Sequence, residues 1–274
     1  MEVAASDVVF KNRLNLIPFS DLHFGSKASD EKRFDRLIKW ILSKEDTYAI
    51  GLGDYSDSII RQDLKRFSAN ATKDDMLIYL DNLLNEQRDL VINKLKPLAD
   101  AKRLLGLGLG NHEHAISKHH SYDMMKDICR ELKTPYLGYS FLYRWRIKKA
   151  SDNTRRNVII YGHHGFGASR KGGAAMNKRE DILCKYDADV ILCGHDHHKM
   201  GRRLIRLGIT SNGEPKIIHK PVIIAATGSF MKTCIQGDTT YAEMAGYPPN
   251  DIGVVKITMD IVGKDHNLDI HVSE

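Results

Sequence analysis

Cysteine is scarce: the 274 residues hold four, Cys129, Cys184, Cys193 and Cys234, and no two of them form a CxxC pair. With no export signal either, a disulfide framework is not expected, and four reduced, mostly buried thiols are the expectation. No apolar run is long enough to span a bilayer, so no membrane partner is expected. Met1 to Ser20 carries Glu2 and Asp7 and lacks a basic stretch followed by an apolar one. This predicts no signal peptide and a cytoplasmic protein. Internal repeats and low-complexity linkers are missing as well. Residues 1–274 are therefore expected to form a single domain.

The composition suits such a domain, with 42% hydrophobic and 28% charged residues. That is enough apolar material for a full core and too ordinary a charge content for disorder. The formal net charge of +6 is compatible with an anionic substrate but does not establish one. The basic excess lies in local runs: Arg144 to Arg156, Arg170 to Arg179, and Lys199 to Arg206. Such runs are most often solvated faces.

Strand and helix patterns alternate early. Arg13 to Phe19 reads as a buried strand. Asp30 to Ser43 reads as a helix, with Phe34, Leu37, Ile38, Ile41 and Leu42 at helical spacing and Asp30 as its cap. Thr47 to Leu52 is a second strand. Asp74 to Ala101 carries a long helical pattern through Leu77, Leu80, Leu84 and Val91, and Pro97 is placed to end or bend it. Arg103 to Leu109 is a third strand. Later come an alternating strand through Phe141, Tyr143, Trp145 and Ile147, a short one over Asn157 to Tyr161, a helix over Lys178 to Tyr186, and a strand over Val190 to Cys193. Further strands follow through Val222 to Ile224, Val254 to Ile257 and Leu268 to Val272. Helix–strand alternation followed by strand runs points to an α/β chain with α+β character, two packed sheets with helices outside.

Chemistry gathers where five of these strands end: Ser20-Asp21-Leu22-His23, Gly53-Asp54, Gly110-Asn111-His112-Glu113, Gly162-His163-His164-Gly165 and Gly194-His195-Asp196-His197. Open α/β folds place their sites at strand ends. Glycine beside a ligand lets the backbone turn sharply and approach bound groups. Asp, Asn and His together are ligands for divalent metals. A lone Asp-x-His or Gly-Asp says little. Two histidines two apart after a buried strand say more, and five such ends in order have no packing purpose. Two glycine-rich segments are decoys. Gly106-x-Gly108-x-Gly110 lacks the GxGxxG spacing, and Lys171-Gly172-Gly173 lacks the order of a P-loop.

These five motifs, over roughly residues 15 to 230, resemble those of the calcineurin-like metallophosphoesterases in type and order. The resemblance implies a two-sheet β-sandwich flanked by helices. It also implies two divalent transition-metal ions, with Asp21, His23, Asp54 and His197 around one and Asp54, Asn111, His163 and His195 around the other. Asp54 is expected to bridge, because its two oxygens can serve two cations. Mixed oxygen and nitrogen ligands suit manganese, iron or zinc better than calcium, and manganese is the expected ion. His163 and His164 compete for one position, and the family spacing of His, one residue, then Gly favours His163. His112 is expected to be the catalytic proton donor, with Asp21 or Asp81 as candidates to orient it.

The expected function is hydrolysis of phosphodiester or phosphomonoester bonds, with a nucleotide or nucleic acid as candidate substrate and nuclease action within reach. Phe166 to Asn177 reads as a mobile loop beside the metals, from which Arg170 and Lys171, followed by Lys178 and Arg179, could meet a phosphate. The alternatives are a non-catalytic scaffold and a nucleic-acid-binding relative with structural metals. The scaffold would be expected to lack ligands, and structural zinc is usually closed by Cys and His. Neither pattern is present.

Overall fold

The structure is a computed structural model, and it describes residues 1–57, 74–120, 122–151, 155–167, 171–210, 213–238, 240–244, 246–263 and 267–274. Two strands open the chain, β1 (Glu2–Phe10) and β2 (Leu14–Phe19), and helix and strand then alternate through α1 (Glu31–Ser43), β3 (Thr47–Gly51), α2 (Asp74–Asp100) and β4 (Leu104–Gly108). The helices α3 (Asn111–His120) and α4 (Met124–Glu131) lead to β5 (Tyr136–Gly138), β6 (Ser140–Lys149) and β7 (Arg155–His163). After them come α5 (Gly172–Leu183), β8 (Val190–Cys193), β9 (Lys199–Ile209), β10 (Ile217–Ser229) and α6 (Tyr241–Met244). The short β11 (Gly253–Val254), β12 (Lys256–Val262) and β13 (Asn267–Ser273) complete the described elements.

These strands make two sheets. The six-stranded sheet has the order β13-β12-β2-β3-β4-β5, and the seven-stranded sheet has β1-β6-β7-β8-β10-β11 with β9 beside β10. Strands β2, β3 and β4 run parallel, as do β7, β8 and β10. Their C-terminal ends therefore come out on one rim of each sheet.

The sheets pack face to face. Leu14, Leu16, Ile50 and Leu52 from one sheet meet Tyr143, Trp145, Ile160 and Leu192 from the other. The opposite face of β2 to β4 carries Ile17, Phe19 and Leu107 against Phe34, Ile38, Val91, Leu95 and Met125 of the helices. Burial on both faces explains why β2 reads as a continuous apolar run. Alternation in β6 buries Phe141, Tyr143, Trp145 and Ile147 and turns Arg144 and Arg146 outward. Trp145 is fully enclosed, and truncating such a residue to alanine typically costs about 3–5 kcal/mol. In α1 the buried face is Phe34, Ile38 and Ile41, and the Asp30 carboxylate accepts the Arg33 N–H at 3.0 Å.

Several expectations need correction. Helix α2 runs past Pro97 to Asp100, so the proline does not end it. The segment Gly172 to Asn177, expected as loop, is the first half of α5. Ala175, Arg179 and Ile182 recur at helical spacing and are all buried, so the helix begins early despite its two glycines. Two cysteines, Cys184 and Cys234, are exposed, while Cys129 and Cys193 are buried. Strands β1 and β9 had no counterpart in the sequence reading. Among the described residues no helix is long and apolar enough to cross a membrane.

Candidate metal centre

All five motifs reach one rim. Asp21 and His23 follow β2, Asp54 follows β3, and Asn111 and His112 begin α3 directly after β4. From the other sheet, His164 follows β7, and His195 and His197 follow β8. Backbone hydrogen bonds tie the loops together: Leu22 and His23 both donate N–H to the Asp54 carbonyl, at 2.8 and 3.1 Å. Across the seam between the sheets, His195 N–H donates to Asp21 Oδ2 at 2.9 Å, and His164 Nδ1 lies 2.9 Å from the Leu52 carbonyl.

The backbone here is unusual. Asp21, His23, Asp54, His195 and His197 have φ of 55°, 49°, 54°, 73° and 58°. Side-chain-bearing residues rarely adopt these left-handed values. Among the described residues only Asp46, Lys102 and Lys133 share them, so the strain concentrates at the centre, as it does in many functional sites. Glycines make room for the same loops. A Cβ on Gly110 would run into the Asp54 carboxylate, and one on Gly194 into Ser20 and Asp21.

Three groups of ligand atoms each lie within 4.8 Å of one another: Asp21, His23 and His197; His23, Asp54 and His112; and Asp54, His164 and His195. The first and third form two poles, and Asp54, a member of the third, is linked to the first through His23 in the second. Asp21 is fully buried; its Oδ2 accepts from Ser20 Oγ and His195 N–H. Its Oδ1 lies 3.3 Å from His197 Nε2 without a well-aligned hydrogen bond, and both ring nitrogens of buried His23 also lack one. At the other pole His164 Nε2 lies 3.1 Å from Asp54 Oδ2 and 2.9 Å from Asn111 Oδ1. Leaving buried polar atoms unpaired costs about 1–3 kcal/mol each. A cation would satisfy them, and carboxylate, imidazole and amide oxygen together suit a borderline divalent ion. The residues therefore fit a metal.

The electrostatics show what a metal would meet. Burial works against the Asp54 charge, but the His164 imidazolium outweighs it and holds that carboxyl down at about 2. Asp21 is likewise held well below the usual carboxylate range, against burial, by His197, His164 and His23. His164 is itself pushed up to about 9: burial opposes its charge, and Asp54 and Asp21 prevail. His112 is raised, with burial again opposing and Asp54 the main attraction. Its Nδ1 lies 2.9 Å from the Asp57 carbonyl. A carbonyl only accepts, so Nδ1 carries a proton. The expected orienting partner for His112 was Asp21 or Asp81; the observed one is this carbonyl, and the Asp81 side chain lies outside the described residues.

One ligand position differs from expectation. His163, last in β7, lies outside all three clusters, and its Nδ1 accepts the Gly165 N–H at 2.9 Å. Its neighbour His164 occupies the place beside Asp54 and His195. Strand parity gives the reason. Val158 and Ile160 face the core between the sheets, while Ile159 and Tyr161 face α5. His164 continues the first series and His163 the second.

Of the four basic side chains expected to meet phosphate, two are occupied by other groups. Arg179 is 2% exposed and pairs with Asp196 through two contacts of 2.9 Å. Lys178 Nζ donates to the Phe166 and Gly167 carbonyls. Lys171 is exposed at the N-cap of α5, and Arg170 lies outside the described residues. The sequence reading also missed what Glu113 does. Its buried carboxylate accepts the N–H groups of Asp54, Tyr55, Ser56 and Gly110, at 3.0, 2.6, 3.1 and 3.2 Å. A carboxylate three residues into Gly-Asn-His-Glu is the one available signal.

The sequence profile of the calcineurin-like phosphoesterases matches residues 15–199. No protein of curated function matches the chain. Similar solved structures include a metallophosphoesterase from Sphaerobacter thermophilus, 13% identical, covering 96% of this chain and 89% of its own, with a TM-score of 0.36. A Streptococcus pneumoniae protein described as a predicted phosphoesterase is 11% identical, covering 96% of this chain and 99% of its own, with a TM-score of 0.36. Zinc-bound Vps29 of Entamoeba histolytica is 12% identical, covering 96% of this chain and 98% of its own, with a TM-score of 0.34. The chain belongs to the calcineurin-like phosphoesterase family, and its two sheets flanked by helices are consistent with the metallophosphoesterase fold.

Proposed function

We propose that this member of the calcineurin-like phosphoesterase family hydrolyses phosphoester bonds at a dinuclear metal centre. Asp21, His23, Asp54 and His197 would hold one ion, and Asp54, Asn111, His164 and His195 would hold the other. Manganese is the expected metal, with iron and zinc as alternatives. The observation that carries this reading is the set of unpaired buried ligand atoms, Asp21 Oδ1 and both His23 nitrogens, with the Asp54 carboxylate grouped with His23 on one side and with His164 and His195 on the other. Two divalent ions would supply Lewis acidity toward the phosphoryl oxygens and a nucleophile from water at neutral pH.

The chain's own residues supply the rest. Asp54 would be the ligand common to both ions, and the His112 backbone N–H, 3.0 Å from its Oδ1, fixes the carboxylate. Glu113 locks the Asp54 loop to the start of α3. His112, held through Nδ1 by the Asp57 carbonyl, keeps Nε2 for a proton and gives it to the departing ester oxygen. Nucleotides and nucleic acid are the favoured substrates, on the chain's basic excess.

Metal content and turnover test this together. Protein loaded with manganese should carry close to two ions per chain and cleave bis-p-nitrophenyl phosphate, nucleotides or labelled DNA until chelated. Folded protein with no metal would overturn the centre. Two metals without turnover on any phosphoester would leave a metal-binding scaffold in place of an enzyme.

A further inference from the structure

His163 and Phe166 have no place in the metal clusters, yet their loop is held tightly. Tyr139 O–H donates to the Gly165 carbonyl at 3.3 Å, His164 N–H donates to the Tyr139 carbonyl at 3.0 Å, and Gly165 N–H donates to His163 Nδ1 at 2.9 Å. Lys178 fastens the far side through the Phe166 and Gly167 carbonyls and places its ammonium 5.9 Å from the Phe166 ring centroid. The Phe166 ring itself is 55% exposed.

Ring contacts connect it to the metal centre. Phe166 meets His163 edge to face, with centroids 5.7 Å apart at 85°. His163 meets Tyr139 at 5.3 Å, and Tyr139 meets His164 at 5.5 Å. His164 in turn touches Asp54. A single exposed phenylalanine is ordinary. One on a pinned loop, braced by a histidine outside the three ligand clusters and joined to a candidate metal ligand through three ring contacts, calls for a function.

We infer that Phe166, braced by His163, is a stacking platform for a planar aromatic group carried by the phosphoester, and that the group is a nucleobase. Every base has a π-face, so a pinned aromatic ring binds bases with little regard to sequence. Offset and edge-to-face geometries are the favoured ones, and the His163 contact braces the half-exposed phenyl ring. The subsite rests on the proposed phosphoester chemistry only in that the phosphate sits at the metals. It sets the substrate class, a nucleoside phosphate rather than a sugar or alkyl phosphate.

The test is calorimetric binding to manganese-loaded protein, with metal content assayed on the same sample. Adenosine 5′-phosphate, phenyl phosphate and ribose 5-phosphate are the probes, and wild type, Phe166→Ala and Phe166→Tyr are compared. In wild type the adenosine phosphate should bind about tenfold more tightly than ribose 5-phosphate, the size of one base–aromatic stack. Phe166→Ala should erase that advantage and leave ribose 5-phosphate unchanged, while Phe166→Tyr should keep it. Equal affinities in wild type, or an advantage that survives Phe166→Ala, would overturn the platform, as would no binding of any probe to metal-loaded protein. Phenyl phosphate gaining as much as the adenosine phosphate would overturn the nucleobase assignment. Protein that takes up no manganese would refute the metal centre instead, and the metal assay separates that failure from the others.

Discussion

The six-stranded sheet brings Asp21, His23, Asp54 and Asn111 to the rim, and the seven-stranded sheet brings His164, His195 and His197. Both buried carboxylates of the clusters thus come from one side, and the other side offers imidazoles alone. The anchoring differs in the same sense. Glu113 gathers four backbone N–H groups around the Asp54 loop, whereas the buried Arg179–Asp196 pair holds the loop of His195 and His197, with Arg179 reaching toward the Gly194 carbonyl. An anionic half faces a half that becomes cationic when its imidazoles take protons. The seam therefore needs positive charge, and either protons or metal ions can supply it.

The largest expected effect comes from removing that asymmetry at its source. Asp54→Asn should empty both metal positions and abolish turnover with the fold retained, whereas His195→Ala, on the imidazole side, should empty one. Elemental analysis of the two variants decides this, and equal metal loss in both would deny Asp54 its shared role. Next in size is His112→Asn, which should keep both ions and slow turnover by roughly 10²–10⁴-fold, the usual range for a general acid. The deficit should shrink with a p-nitrophenyl leaving group, which needs little protonation. Identical deficits on good and poor leaving groups would assign His112 to the phosphoryl group instead.

The anchors can be compared through stability. Arg179→Leu leaves Asp196 buried without its partner and should cost about 3–5 kcal/mol in denaturant unfolding of the metal-free protein. Adding Asp196→Asn should recover part of it. A loss no greater than that of an ordinary surface substitution would show that the pair is not an anchor.

The smallest effect is a pH dependence. His164, raised from 6.5 to about 9, adds stability to the metal-free protein that is complete below pH 6.5 and fades as pH rises through about 9. Asp54, lowered from 3.8 to about 2, adds stability that is present above pH 3.8 and fades as pH falls through about 2. A metal must displace the His164 proton, so binding at pH 7 should release close to one proton per chain, and affinity should climb with pH. Calorimetry in two buffers of different ionisation enthalpy measures that number; zero would mean His164 is neutral or not a ligand.

Much of the centre was legible because parallel, doubly buried strands announce themselves as apolar runs, and their ends then mark the rim. Asp21, His23, Asp54, Asn111, His112, His195 and His197 all arrive where those ends predict. Three things were not legible. His163 and His164 are adjacent and of one type, so only the parity of β7, counted back through Ile160 and Val158, separates them. Arg179 sits in a basic run that looks solvated, and its burial depends on Asp196 across the next loop. Glu113 acts on backbone N–H groups of another loop, which have no sequence signature. The edge strands β1 and β9 also hid, because apolar side chains stand on their exposed faces, Val3 and Val9 in β1 and Ile205, Leu207 and Ile209 in β9, and spoil the inside–outside alternation.

The left-handed loops carry a historical consequence. Each of those five residues holds a backbone shape that glycine would adopt more comfortably, at a cost of about 1–3 kcal/mol apiece. Drift in a lineage that no longer used the chemistry would run toward glycine there, because relaxing these positions stabilises the chain. The side chains at such places stand against the fold's own preference, a cost that a bound group between them would offset.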